Sequence, residues 1–256
     1  VEIFKRPFER DESRRPLDRL CARVPDGLVV YAIGDIHGRA DLLEPILDRI
    51  HRDSTQQSDQ RAITVFLGDY VDRGPRSREV IDLLLEWNAV YPSVFLKGNH
   101  DQMAIDFLEN PSVLNRWSKF GGIEMLMSYG VMPKSMQWSE ISAELSKQFR
   151  EQFPVSHLAF LRDLKSHFVC GDYFFVHAGV RPGVPLNEQR LEDLLWIRDE
   201  FLNYNRSWEK IIVHGHTPVS QPDVRSNRIN LDTGAYATGR LTCAIFSGSD
   251  LKFLQP

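Results

Sequence analysis

The stretch Gly68-Asp69-Tyr70-Val71-Asp72-Arg73-Gly74 decides how the rest of the chain is read. It follows an apolar run, Ile63 to Leu67, that reads as a buried strand. Two carboxylates and a guanidinium stand within five residues, bracketed by glycines. Packing alone gives a strand no reason to end in this way. Two acids and a base between a strand and a helix suit metal and phosphate instead.

Working outward, the same punctuation occurs twice more. Leu28 to Ile33 reads as a buried strand ending in Gly34-Asp35-Ile36-His37-Gly38, and Leu42, Leu43, Ile46, Leu47 and Ile50 follow at helical spacing. Ser54 to Gln60 reads as a polar loop, and Val80, Ile81, Leu83, Leu84 and Leu85 mark a helix after the opening stretch. A third strand, Val94-Phe95-Leu96, ends in Gly98-Asn99-His100-Asp101. Strand, helix, strand, helix, strand predicts an α/β chain whose site forms outside the carboxyl ends of the strands. Residues 102–166 have helical periodicity and read as a mostly helical insert beside or over that site. Strand patterns resume at Phe168 to Cys170 and at Tyr173 to Val176, the latter running into His177-Ala178-Gly179. Ile211 to Val213 then ends in His214-Gly215-His216-Thr217-Pro218, and Ile229 to Leu231, Leu241 to Phe246 and Leu251 to Leu254 close the chain. The expected organisation is an arm over 1–25 and a domain over 26–256 that carries the insert.

Composition excludes several classes. A length of 256 residues supports a large core, and 42% hydrophobic with 26% charged residues is ordinary for a globular protein. A formal charge of −4 leaves no basic footprint for nucleic acid, and no apolar run has the length of a membrane span. The leading residues lack the apolar core of a secretory signal. Three isolated cysteines, Cys21, Cys170 and Cys243, give no disulfide framework and fit a reducing cytoplasm.

The strand ends deliver Asp35, His37, Asp69, Asn99, His177 and His216. All are oxygen or imidazole donors, which suits Mn, Fe or Zn in an open site and not a thiolate-bound structural zinc. Six ligands are more than one ion needs if water and substrate also bind. They suit two, with the central Asp69 bridging. Two divalent ions about 4 Å apart hold a hydroxide for in-line attack on phosphorus. His100 is placed to protonate the leaving group, Asp72 to hold the His100 ring, and Arg73 to fork phosphate oxygens.

These blocks, Gly34-Asp35-Ile36-His37-Gly38, Gly68 to Gly74 and Gly98-Asn99-His100-Asp101, resemble the signature of the PPP family of phosphoprotein phosphatases within the calcineurin-like metallophosphoesterases. Val176-His177-Ala178-Gly179 and Gly215-His216-Thr217-Pro218 match the two later histidine blocks, so the resemblance spans 28–246. It implies two packed mixed sheets flanked by helices, with Asp35, His37 and Asp69 on one metal and Asp69, Asn99, His177 and His216 on the other. It also implies His100 and Asp72 as the acid pair, and Mn ahead of Fe or Zn as the metal. By the same resemblance Arg198, in Leu195-Trp196-Ile197-Arg198, is a second phosphate clamp, and Tyr236 lies near the site. The activity implied is hydrolysis of phosphoserine and phosphothreonine in a protein or peptide, or of a small phosphoester. Two alternatives are carried beside it, a diadenosine polyphosphate hydrolase and a phosphate-binding protein without catalysis. Asp101 stands where most Ser/Thr phosphatases have Glu, which favours the dinucleotide alternative. Asp72 before Arg73 resembles the protein-phosphatase branch. Pro218 replaces the last histidine of the nucleases and phosphodiesterases, which disfavours them.

Other residues have plainer readings. His214 is a rival to His216, and His51, His157 and His167 read as surface or core histidines. Arg76 and Arg78 read as a solvated face. Trp117, Phe120 and Gly121-Gly122 read as cleft lining or as insert packing, and Asp232 as a support to the site or a turn residue.

Overall fold

The computed structural model describes residues 22–56 and 60–254. Most of the expected arm, with Cys21, lies outside them. The strands are β1 (Leu28–Ile33), β2 (Arg61–Phe66), β3 (Ser93–Phe95), β4 (His167–Cys170), β5 (Tyr173–Val176), β6 (Ile211–His214), β7 (Asp223–Val224), β8 (Arg228–Asn230), β9 (Cys243–Ser247) and β10 (Asp250–Leu254). The helices are α1 (Ala40–Gln56), α2 (Ser77–Asn88), α3 (Asn99–Glu109), α4 (Leu114–Trp117), α5 (Gly122–Ser128), α6 (Trp138–Gln152), α7 (Val155–Asp163), α8 (Leu191–Trp196), α9 (Asp199–Leu202) and α10 (Ala235–Thr238).

The strands form two five-stranded sheets, in the orders β10-β9-β1-β2-β3 and β4-β5-β6-β8-β7. In the first, β1, β2 and β3 are parallel and β9 and β10 run against them. In the second, β5, β6 and β8 are parallel, with β4 and β7 antiparallel at the edges. This is the pair of packed mixed sheets with flanking helices that the motif resemblance implies.

Side-chain alternation explains the layering. In β1, Val29, Tyr31 and Ile33 face the core built with α1 and α2, while Val30 and Ala32 face the other sheet. In β5, Tyr173 and Phe175 join the inter-sheet core, and Phe174 and Val176 pack outward against Leu194 of α8 and Phe201 of α9. The central strands β1 and β5 are therefore buried on two faces, which is why they read as continuous apolar runs.

Between β3 and β4 the chain is helical from α3 through α7. Two local readings shift. Ser54 to Gln56 continue α1, where the Ser54 and Thr55 hydroxyls donate to the carbonyls of His51 and Arg52 three residues back. The two-residue strand β7 is too short to carry an alternation signal.

Candidate active site

The loops that leave β1, β2, β5 and β6 and the start of α3 meet at one place. Among the described residues, the non-glycine residues with positive φ are His37 (47°), Asp69 (52°), Asp72 (72°), Arg73 (65°) and His216 (66°). Such a conformation costs about 1–3 kcal/mol per residue and persists only where neighbours enforce it. Here each loop holds the next. His37 N donates to Asp69 O at 2.8 Å, and Asp69 N donates to Asp101 Oδ2 at 2.9 Å. Asp72 N donates to Ser77 Oγ at 3.1 Å, Arg73 N to Gly121 O at 3.1 Å, and His216 N to Asp35 Oδ2 at 3.0 Å. Two glycines are required by close approach. A Cβ on Gly98 would lie 2.0 Å from Asp69 Oδ1, and one on Gly215 would lie 2.0 Å from Asp35 Oδ1.

Buried donors converge inside this frame. The donor atoms of His37, Asp69 and His100 lie within 4.8 Å of one another, and so do those of Asp69, His177 and His216. Asp69 belongs to both sets. Its Oδ2 is 3.4 Å from His37 Nε2 and its Oδ1 is 3.5 Å from His177 Nε2, so each oxygen faces one set. Asn99, the first residue of α3, brings its Oδ1 to 3.0 Å from His177 Nε2 and so adjoins the second set. Asp35, expected beside His37 and Asp69, belongs to neither set, and His100 takes its place in the first; both Asp35 oxygens accept the His216 amide.

These residues fit divalent cations on grounds independent of family. Asp35, Asp69 and Asp232 are all buried. Burial, Asp232 and Asp69 drive the Asp35 carboxyl well above its usual range, and burial with the Asp69 charge pushes Asp232 up to about 6 against the Gly234 amide. Buried acids that repel one another in this way are relieved by a cation. The His37 and His177 Nδ1 atoms lie 2.9 Å from the carbonyls of Val71 and Leu67, which fixes the tautomer and leaves Nε2 as a lone-pair donor. Burial lowers the His37, His177 and His216 imidazoles, so they are neutral, as a ligand must be. His216 Nε2 is buried with no hydrogen-bond partner among the described residues.

His100 stands at the boundary of the donor sets. Its Nδ1 meets Asp72 Oδ2 at 2.7 Å, and its Nε2 lies 3.8 Å from Asp69 Oδ2 and 3.2 Å from Arg73 Nη2. Burial pulls the His100 imidazole down, but the Asp69 and Asp72 carboxylates outweigh it and hold it above its usual value. Burial raises Asp72 in turn, opposed by its hydrogen bonds to His100 and Trp117. Arg73 lies with its guanidinium 4.4 Å from the centre of the Tyr236 ring, which α10 presents at the mouth of the site. Arg198 is exposed, and its Nη1 donates to Thr217 Oγ1 at 3.2 Å beside His216.

Three further residues support the site in ways the sequence reading left open or missed. Trp117 Nε1 donates to Asp72 Oδ2 at 2.7 Å, sharing the oxygen that holds His100. Asp232 is a buried acid beside Asp35 as well as a turn former, since its Oδ1 accepts from Gly234 N at 2.8 Å. Asp101 faces the backbone, accepting the amides of Gly98, Asp69 and Tyr70 at 2.8, 2.9 and 3.0 Å. It orients Asp69 rather than reaching toward substrate, and its place in a motif was the only signal available. His214 turns away to pack its ring 4.9 Å from that of Phe201, and burial pushes it down to about 3. His157 is buried between Tyr129 Oη, at 2.8 Å, and Asp82 Oδ1, at 2.9 Å.

Two layered sheets carrying oxygen and imidazole donors on their strand ends define a metal-dependent phosphoesterase. The chain belongs to the calcineurin-like phosphoesterase family, whose profile matches residues 28–246. That family uses a dinuclear metal centre. The chain is 26% identical over 232 residues to a protein of Anoxybacillus flavithermus named bis(5'-nucleosyl)-tetraphosphatase PrpE (asymmetrical), covering 84% of this chain and 89% of that one. Among solved structures, one provisionally described as a diadenosine tetraphosphatase superposes with a TM-score of 0.58 at 22% identity, covering 89% of this chain and 93% of that one. A cold-active protein tyrosine phosphatase superposes with a TM-score of 0.55 at 17% identity, covering 93% of this chain and 82% of that one. The two solved chains have different names on one fold, so the fold by itself does not select a substrate.

Proposed function

We propose that this chain hydrolyses a phosphoanhydride bond of a dinucleoside tetraphosphate, releasing a nucleoside monophosphate and a nucleoside triphosphate. The reaction class rests on one observation, the place of Asp69 in both donor sets with one oxygen toward each. The substrate class is supported by the PrpE relative, and by Asp101 standing where most Ser/Thr phosphatases of the resembled family have Glu. Phosphoserine or phosphothreonine, the first expectation from the motifs, becomes the second reading, kept by the Asp72-Arg73 order.

In this reading Asp35, turned from the His216 amide, would join His37 and Asp69 on one divalent ion, and Asp69, Asn99, His177 and His216 would hold the other, with Mn as the proposed metal. Bound there, such ions acidify water and neutralise phosphate charge. Arg73 and Arg198 take the non-bridging oxygens of the attacked phosphate as forked donors. Asp72 and Trp117 fix the His100 ring through Nδ1, which leaves Nε2 to give a proton to the leaving phosphate oxygen. Water supplies the new P–O bond, the P–O–P bridge breaks, and a water proton passes to solvent. The proposed partner is thus a small dinucleotide, with neither nucleic acid nor membrane involved and a cytoplasmic location.

The test is turnover of diadenosine tetraphosphate against a phosphoserine peptide with Mn²⁺ present, the nucleotide products being separated by chromatography. Adenosine monophosphate and triphosphate in equal amounts are expected. Turnover of the peptide alone would replace this reading with the second.

A further inference from the structure

A cleft of about 550 Å³ opens where α8 passes into α9, with Arg181, Arg190, Trp196, Ile197 and Arg198 among its lining residues. It adjoins the metal donors at two points. The Trp196 ring centre lies 6.3 Å from that of His216, and Arg198 is bonded to Thr217, the residue after His216. The cleft has the size of a small-ligand site and is far larger than one phosphoryl group requires.

Its charges are unevenly committed. Arg181 is paired with Asp193 and Glu200. Among the described residues no carboxylate pairs with Arg190, with Arg198, or with Arg116, whose guanidinium lies 4.7 Å from the centre of the Trp196 ring. Glu192 and Asp199 also line the cleft and neither is ion-paired among the described residues, but the three unpaired guanidinium groups outnumber these two carboxylates beside a half-buried indole, which favours an anionic ligand with a flat ring. Aromatic walls stack any base, and guanidinium groups follow a phosphate chain.

We infer that this cleft seats one nucleoside of a dinucleoside polyphosphate, its base against Trp196 and its phosphates crossing Arg190, Arg116 and Arg198 toward the metal donors. The inference rests on the hydrolase reading above and adds to it the residues that distinguish a dinucleotide from a small phosphoester.

The test compares diadenosine tetraphosphate with p-nitrophenyl phosphate on the intact metal-loaded protein and on two variants. Arg190→Ala removes an exposed side chain, and Trp196→Leu keeps an apolar group in place of the indole. The ratio of kcat/KM for the dinucleotide to that for p-nitrophenyl phosphate is expected to fall about tenfold in each, mostly through KM for the dinucleotide. The unchanged protein separates the two ideas. If it hydrolyses the dinucleotide while both variants keep the wild-type ratio, the cleft assignment is wrong and the hydrolase reading stands. If it hydrolyses only p-nitrophenyl phosphate, yet the dinucleotide inhibits competitively and Arg190→Ala weakens that inhibition, the cleft stands and the reading falls. No inhibition, or inhibition that both variants leave unchanged, overturns the cleft.

Discussion

The strand-end loops and the helical stretch from α3 to α7 both build the site, and they do so in opposite ways. The loops carry their chemistry where it can be read, because each donor sits within a few residues of glycine at the end of an apolar run. The helical stretch carries its contribution in contacts that cross the fold, such as Trp117 to Asp72 and Gly121 to Arg73. The loops hold strained φ values and donors. The helices hold the loops. A side chain that does chemistry must end at the substrate, so its spacing along the chain is constrained. One that supports it need only arrive from somewhere.

The comparison can be broken most severely at Asp69. Asp69→Asn is expected to release both metals together, measured by elemental analysis, and to lower activity on the order of a thousandfold. Loss of one ion with retention of the other would contradict a shared ligand. Gly98→Ala tests whether the loops tolerate any displacement. Its Cβ would strike Asp69 Oδ1 and Asp69 N, at 2.0 and 2.3 Å. A fall in kcat of about a hundredfold is expected from the shift alone. On the helical side the effect is smaller. Trp117→Phe keeps the bulk of the ring and removes the hydrogen bond to Asp72, so kcat should fall about tenfold with metal content unchanged. An unaltered kcat would make Trp117 simple packing.

The smallest effect concerns stability, far from the metals. His157 joins α7 to Tyr129 and to Asp82 of α2, and burial lowers its pKa despite the Asp82 bond. With a folded pKa below the unfolded value of about 6.5, the unfolded chain binds the extra proton as pH falls. This contribution to stability is therefore complete above about pH 6.5 and is lost below it. The melting temperature of the metal-loaded protein should drop between pH 7.5 and 5.5, and His157→Gln should flatten that drop while costing about 1 kcal/mol at neutral pH. A steeper drop in the variant would reverse the sign assigned to His157.

Much of the fold was legible. Most strands show as apolar runs, whereas β10 alternates Asp250-Leu251-Lys252-Phe253 with Asp250 and Lys252 exposed, and β8 offers only Ile229 between Arg228 and Asn230. Element ends moved by one or two residues, as at β2, which begins at Arg61 where the apolar run starts at Ile63. The proposed metal donors were legible because each follows such a run. Trp117 stayed open between cleft lining and packing, because an indole in a helical pattern has no local mark of the carboxylate it meets 45 residues away. Asp101 was legible only as a motif position, and its bonds to three amides depend on how α3 starts against the loop after β2.

By itself the sequence determined the succession of strands and helices, through apolar runs and helical spacing, and the oxygen and imidazole character of the donors, while the two packed sheets came from the motif resemblance. Tertiary structure alone decided that His100 and not Asp35 converges with His37 and Asp69, that His214 packs against Phe201, and that Arg190 and Trp196 lie on a cleft beside the metal donors. The reason is geometric. Periodicity fixes which face of an element is buried, whereas the meeting of two loops depends on the twist and register of the sheets between them.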